Sequence, residues 1–208
     1  MLVKKLEVGT FASNCYIVGD ESSKEGMIID PGAEGDFILR TVKSLGLTIK
    51  YIVLTHAHID HIGAVTEVKK ATAAKLALHD KEAAELNKSP FRMMMPGIPD
   101  APPPDIRLKD GDTIQIGNLK FTIVHTPGHT PGGICVVGNG IVFTGDTLFN
   151  FSIGRTDLPG GSTQQEMESI ITKLMTLPDN TIVCPGHGPD STIAAERRGN
   201  PFILDYSS

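Results

Sequence analysis

Cysteine is scarce in this chain: Cys15, Cys135 and Cys184 are widely spaced and form no CxxC pair. That excludes a disulfide framework and points to a reducing compartment, the cytoplasm. The three thiols are expected to be buried as small hydrophobes. Positive charge is not in excess, since the formal net charge is -5. The basic footprint of a nucleic-acid-binding protein is therefore missing. No apolar run approaches the length of a membrane span, and the start, Met1 to Glu7, lacks the apolar core of a signal peptide. No internal repeat or interior linker divides the sequence, so residues 1–208 are expected to form a single domain, long enough to bury a real core.

What the chain does have is histidine in one place. Thr55-His56-Ala57-His58-Ile59-Asp60-His61 follows the apolar run Tyr51–Leu54 directly. Neutral imidazole is the commonest nitrogen ligand for zinc and iron, and carboxylate is the matching hard ligand. The cluster reads as a metal site. The same arrangement, an apolar run followed within a few residues by a ligand candidate, recurs three times: Phe121–Val124 leads to His129, Ile141–Phe143 to Asp146, and Thr181–Cys184 to His187. Strand carboxyl ends are where α/β proteins place ligands. If the four strands share one sheet rim, the candidates His56, His58, Asp60, His61, His129, Asp146 and His187 converge. Three protein ligands suit one catalytic zinc; seven suit two metals if one carboxylate bridges them.

Periodicity supplies the framework. Strands are expected at 2–8, 14–18, 26–29, 49–54 and 181–184, with a short one near Leu76-Ala77-Leu78. Hairpins join 113–116 to 119–125 and 133–137 to 140–143. Helical spacing covers 34–45, 63–71, 79–87, 162–176 and 192–198. The mixture implies sheets covered by helices. The segment from Lys88 to Asp105 holds six prolines and Met93-Met94-Met95. It reads either as an adaptable apolar surface near the site or as a proline-stiffened connector.

With these residues assembled, the chain resembles the metallo-β-lactamase superfamily through His-x-His-x-Asp-His at 56–61, followed in order by His129, Asp146 and His187. Thr126-Pro127-Gly128-His129-Thr130, Gly145-Asp146-Thr147-Leu148-Phe149 and Pro185-Gly186-His187-Gly188 resemble the glyoxalase II group of thioester hydrolases, and Gly154–Pro159 with Asn200-Pro201-Phe202 resemble its short bacterial single-domain variants. The resemblance implies a four-layer αββα sandwich, an α/β fold with the metal site at one edge between two mixed sheets. It implies that His56, His58 and His129 hold a first metal, that Asp60, His61 and His187 hold a second, and that Asp146 bridges. Asp30 matches the superfamily's early aspartate; it either orients a ligand histidine from behind or only starts the turn Asp30-Pro31-Gly32. Arg155 either docks an anionic part of the substrate or forms a surface salt bridge to Asp157. The tyrosines that the glyoxalase II group uses to hold glutathione have no counterpart in Gly154-Arg155-Thr156-Asp157 or Gly188-Pro189-Asp190.

The expected function is that of a binuclear metal-dependent hydrolase acting on a small-molecule thioester. Its cofactors would be two divalent ions, zinc first, with iron or manganese as the other fits. A hydroxide shared by the metals attacks the carbonyl, with Asp60 as the catalytic residue that orients it. The competing expectations are a mononuclear iron persulfide dioxygenase, a lactone hydrolase and a non-catalytic metal-binding protein. A purely structural zinc site is usually closed, four-coordinate and cysteine-rich, which disfavours the last. Neither nucleic acid nor membrane is expected as a partner, and oligomeric state is not legible.

Overall fold

The computed structural model describes residues 1–88 and 97–206. Its first sheet has six strands paired in chain order: β1 (Leu2–Val8), β2 (Ser13–Gly19), β3 (Glu25–Ile29), β4 (Thr48–Val53), β5 (Lys75–His79) and β6 (Ile106–Leu108). β1, β2 and β3 run antiparallel, and β3 through β6 run parallel. Helices α1 (Gly35–Leu45), α2 (Ile59–Ile62), α3 (Val65–Thr72) and α4 (Asp80–Glu85) lie in the connections.

The second sheet uses β7 (Thr113–Ile116), β8 (Leu119–His125), β9 (Ile134–Gly138) and β10 (Ile141–Gly145). After the small hairpin of β11 (Leu148–Phe149) and β12 (Ser152–Ile153), helix α5 (Thr163–Ser169) leads to β13 (Ile182–Pro185), β14 (Ser191–Thr192), α6 (Ile193–Gly199) and α7 (Pro201–Tyr206). The sheet order is β14-β13-β10-β9-β8-β7, with β10 and β13 parallel and the other pairs antiparallel.

Side-chain alternation explains the layering. In β2, Cys15 and Ile17 enter one core while Tyr16 and Val18 enter another. In β10, Ile141 and Phe143 join that second core, and Val142 points to a third. Strands apolar on both faces must be covered on both sides. The first core lies under α1 and α3, through Ile38, Val42, Val65 and Val68. The second joins the sheets, and the third packs Met167, Ile170, Ile193 and Ile203 on the outer face. This is the four-layer αββα sandwich with two mixed sheets. All three cysteines are free and buried. Among the described residues, no helix is long and apolar enough to cross a membrane.

Several elements differ from the sequence expectation. The helix expected over 162–176 is α-helical only to Ser169 and continues as a π-helical stretch, Ile170–Leu174. There Met175 N donates to Ile170 O at 2.8 Å, one residue beyond the α pattern. The helix expected at 63–71 starts at Val65, because the separate single turn α2 precedes it. Strands β6, β11, β12 and β14 and helix α7 had no reading in the sequence. Part of the proline-rich segment, 89–96, lies outside the described residues. Its described flanks behave as a connector: the Asn87 side chain exchanges hydrogen bonds with the Ala101 backbone at 2.9 and 2.8 Å, and Ala101 is buried in the first core.

His79 and His125, the two histidines outside the ligand set, stack with ring centroids 4.1 Å apart and planes within 3°. His79 also caps α4, accepting from Lys81 N at 3.3 Å. Burial, then the facing His125, lowers the His79 pKa to about 4, and burial lowers that of His125. An unfolded histidine takes up its proton near pH 6.5, so stability is present above that pH and is lost as the pH falls toward 4. His79→Asn keeps the cap and removes one titrating ring. Thermal melts between pH 7 and 4.5 should show the variant losing about 1–2 kcal/mol less than the parent, after allowance for solvent screening. Parallel melting profiles would contradict this.

Candidate metal centre

The ligand candidates meet at one end of the sandwich. His56 and His58 follow β4 of the first sheet, whereas His129, Asp146 and His187 follow β8, β10 and β13 of the second. The four strands therefore do not share one sheet rim; they converge across the gap between the two mixed sheets, where the family resemblance puts the site. Hydrogen bonds stitch that gap. Asn14 N donates to Gly186 O at 2.7 Å, Asn14 Nδ2 to Pro185 O and Gly188 O at 2.9 Å, and Tyr16 Oη to Pro185 O at 2.7 Å. Gly186 is required at this point, because a Cβ there would collide with the Asp146 carboxylate.

Two groups of three lie with their potential ligand atoms within 4.8 Å of one another: His56, His58 and His129, and Asp60, His61 and His187. Asp146 stands between them. Its Oδ2 is 3.9 Å from His56 Nε2, 3.6 Å from His129 Nε2 and 3.6 Å from His187 Nε2, while Oδ1 is 3.4 Å from His61 Nε2. Asp30, His56 and His61 form a third such group, but the Asp30 carboxylate is already engaged. Its Oδ1 accepts from Thr55 N at 2.7 Å, and its Oδ2 accepts from Thr55 Oγ1 at 2.6 Å and lies 3.0 Å from His61 Nδ1.

The far side of each ring sets its tautomer. His61 Nδ1 faces Asp30, His129 Nδ1 faces Arg155 O at 2.7 Å, and His187 Nδ1 faces Phe11 O at 3.1 Å. His56 Nδ1 lies 3.0 Å from Thr55 Oγ1, whose own proton goes to Asp30. In all four rings Nδ1 is thus the nitrogen held from outside the centre, and Nε2 is the one left to face inward and take a metal. His58 turns its Nδ1 to His129 Nε2 at 2.9 Å. Among the described residues, His56 Nε2, His61 Nε2 and Asp146 Oδ1 are buried without a hydrogen-bond partner. Buried acceptors left unpaired are costly, and cations at this point would satisfy all three. The donor set fits divalent metal.

Without metal, the centre is electrostatically tense. Burial lowers the His56 pKa, and burial with His129 lowers that of His58 to about 4. Burial opposes ionisation of Asp60, but His61 and the His187 hydrogen bond outweigh it and hold the carboxyl well below its usual range. Burial likewise opposes a charge on His61 and His187, and the surrounding carboxylates reverse it, raising both.

Two buried glutamates, read in the sequence only as parts of helical stretches, turn out to hold the first ligand group. Glu82 on α4 accepts from Ala57 N and Gly132 N, each at 2.8 Å, tying the His56–His58 loop to the His129 loop. Glu166 on α5 accepts from His129 N at 2.9 Å, and burial pushes its pKa up to about 8. Ser13 Oγ donates to Asp60 Oδ2 at 2.9 Å. Nothing in helical periodicity marks such residues; the only sequence trace is the glycines at 128 and 132, where a Cβ would strike Glu166 and Glu82. Glu82→Ala is expected to weaken metal binding about 10–100-fold, as loss of a ligand's support does. Chelator competition measures it, and an unchanged affinity would contradict the role.

Arg155 forms the surface salt bridge to Asp157 that was one of its two expected placements. Its guanidinium forks onto Asp157, Nε to Oδ1 and Nη2 to Oδ2, both at 2.8 Å, while its backbone carbonyl orients His129. It also lines the cavity of about 420 Å³ that opens on His58, Asp60, His129, Asp146 and His187.

The model of the metallo-beta-lactamase superfamily matches residues 8–187. Hydroxyacylglutathione hydrolase GloC of Haemophilus influenzae is 36% identical over 213 residues, covering 100% of both chains. The crystal structure of BLEG-1 B3 metallo-beta-lactamase superimposes with a TM-score of 0.91 at 39% identity, covering 97% of this chain and 99% of that one. TTHA1623 in a di-iron-bound form gives a TM-score of 0.87 at 35% identity, covering 96% and 100%.

Proposed function

The chain belongs to the metallo-β-lactamase superfamily, and from that premise we propose that it is a binuclear metal-dependent hydrolase, residues 1–208 acting as one domain, that cleaves a thioester. The observation that carries the reading is the pair of three-residue ligand groups with Asp146 within 4 Å of both. In it, His56, His58 and His129 would hold one ion and Asp60, His61 and His187 the other, with Asp146 placed to serve both. Nitrogen and carboxylate donors suit zinc, and iron or manganese fit the same set. Bound there, the ions supply Lewis acidity that polarises a carbonyl and brings the pKa of water near 7.

The chain's own groups do the positioning. Asp60, ionised and fixed by Ser13, accepts a hydrogen bond from the attacking water and aims its lone pair at the carbonyl carbon. Asp30 keeps the His61 lone pair inward, and the Arg155 carbonyl does the same for His129. A leaving thiolate, whose conjugate acid has a pKa of about 8–9, needs little protonation. An amide nitrogen needs a proton donor, which favours thioester over lactam. Three buried free thiols fit work in a reducing cytoplasm.

The test is a panel of thioesters, a lactone, a cephalosporin and a persulfide, offered to protein reconstituted with zinc, iron or manganese. Thioester cleavage is expected to dominate. The resemblance to BLEG-1 gives lactam hydrolysis a specific footing as the second reading. Preferred cephalosporin turnover, or oxygen uptake with persulfide, would overturn the thioester assignment.

A further inference from the structure

The cavity over the ligand groups is walled by Phe11, Ile59, Phe149, Ile153 and Leu158, and Arg155 is its only lysine or arginine among the described residues. We propose that the site selects thioesters of uncharged thiols and disfavours those of glutathione, with the Arg155–Asp157 pair as the specificity determinant. The inference rests on the thioester reading above and adds the class of leaving group.

The argument is one of charge. A glutathionyl group brings two carboxylates and an ammonium to the site. Apolar walls offer those groups no replacement for water, and burying an unpaired charge is unfavourable. Among the described residues that line this cavity, the one cation that could receive a carboxylate is already forked onto Asp157, with both carboxylate oxygens used at 2.8 Å. That fork matches the geometry in which arginine would grip a substrate carboxylate, so Asp157 occupies the docking position itself. The pair is exposed and therefore weak, so a substrate carboxylate could displace Asp157 from the guanidinium. Displacement leaves the Asp157 carboxylate two residues away, facing a like charge. Released from Arg155, that carboxyl has the ordinary aspartate pKa of about 3.9 and stays ionised at working pH. An uncharged thiol meets only the apolar wall and a neutral ion pair.

The experiment uses the metal-reconstituted protein and two substrates with the same acyl group, the 2-hydroxypropanoyl thioesters of N-acetylcysteamine and of glutathione. The neutral thioester is expected to have the higher kcat/KM by at least about tenfold, the weight of one charge-assisted contact. Asp157→Ala frees the guanidinium and should narrow the ratio by about tenfold, through a lower KM for the glutathione thioester. Arg155→Ala combined with Asp157→Ala should cancel that gain. Preference of the parent protein for the glutathione thioester, or a ratio indifferent to Asp157→Ala, would overturn the inference while leaving the thioester activity standing. Cleavage of neither substrate would overturn the function itself. The selectivity is then still decided by calorimetric binding of the uncleavable thioethers S-butyl-N-acetylcysteamine and S-butylglutathione: tighter binding of the glutathione compound contradicts it.

Discussion

Replacing Asp60 by alanine is expected to lower kcat/KM for the preferred thioester by at least about three orders of magnitude, some 4 kcal/mol of transition-state stabilisation. The side chain has two tasks in this account. It belongs to the group with His61 and His187, and its Oδ2 lies 3.4 Å from His61 Nε2 and 3.2 Å from His187 Nε2. It also lines the cavity where substrate must sit. Its removal deletes a ligand and the acceptor that aims the water. The fold should survive, because Asp60 sits on the single turn α2 and the bonds it loses are polar ones to Ser13, His61 and His187. Asp60→Asn keeps the shape and loses the charge, and is expected to be nearly as inactive. Kinetics on protein of known metal content, with a melting curve beside it, decide the point. Unchanged turnover in a folded Asp60→Ala protein would sink the proposed mechanism.

Asp30→Ala is expected to destabilise the metal-free protein by about 3–5 kcal/mol, the usual cost of leaving a buried charged network without one member. Three donors converge on the carboxylate: Thr55 N, Thr55 Oγ1 and His61 Nδ1. All are buried, and water cannot readily replace the lost acceptor. The backbone adds a second penalty. Asp30 has φ +50°, in the left-handed region that aspartate and asparagine tolerate and alanine does not. Asp30→Asn keeps the backbone and one acceptor oxygen, so about half the loss is expected. Urea unfolding of chelator-treated protein measures both. A loss below about 1 kcal/mol for alanine would mean that Asp30 merely starts a turn.

The metal ligand candidates were legible because ligand chemistry leaves a dense local signature. His56 to His61 share one loop and turn, and the lone candidates each follow an apolar strand. The layering was legible from alternation, as in β2 and β10. What escaped was anything carried by geometry alone. The family resemblance implied a site between two sheets, but not the stitching of Asn14 and Tyr16 to the 185–188 turn that aligns them, contacts more than 160 residues apart in sequence. Glu82 and Glu166 resemble surface glutamates of amphipathic helices until the helices are packed. The backbone carbonyl of Arg155, which orients His129, has no side-chain signature at all. The guanidinium was read for both of its options, and the structure places it on Asp157.

The central claim is a two-ion centre bridged by Asp146, and elemental analysis coupled to activity tests it most directly. Metal-free protein is titrated with zinc, and with iron under reducing conditions, while bound metal and thioesterase activity are followed together. The account predicts saturation at two ions per chain, with activity rising mainly with the second, and saturation at one ion per chain in Asp146→Ala. Full thioesterase activity at one ion per chain in the parent protein would contradict it.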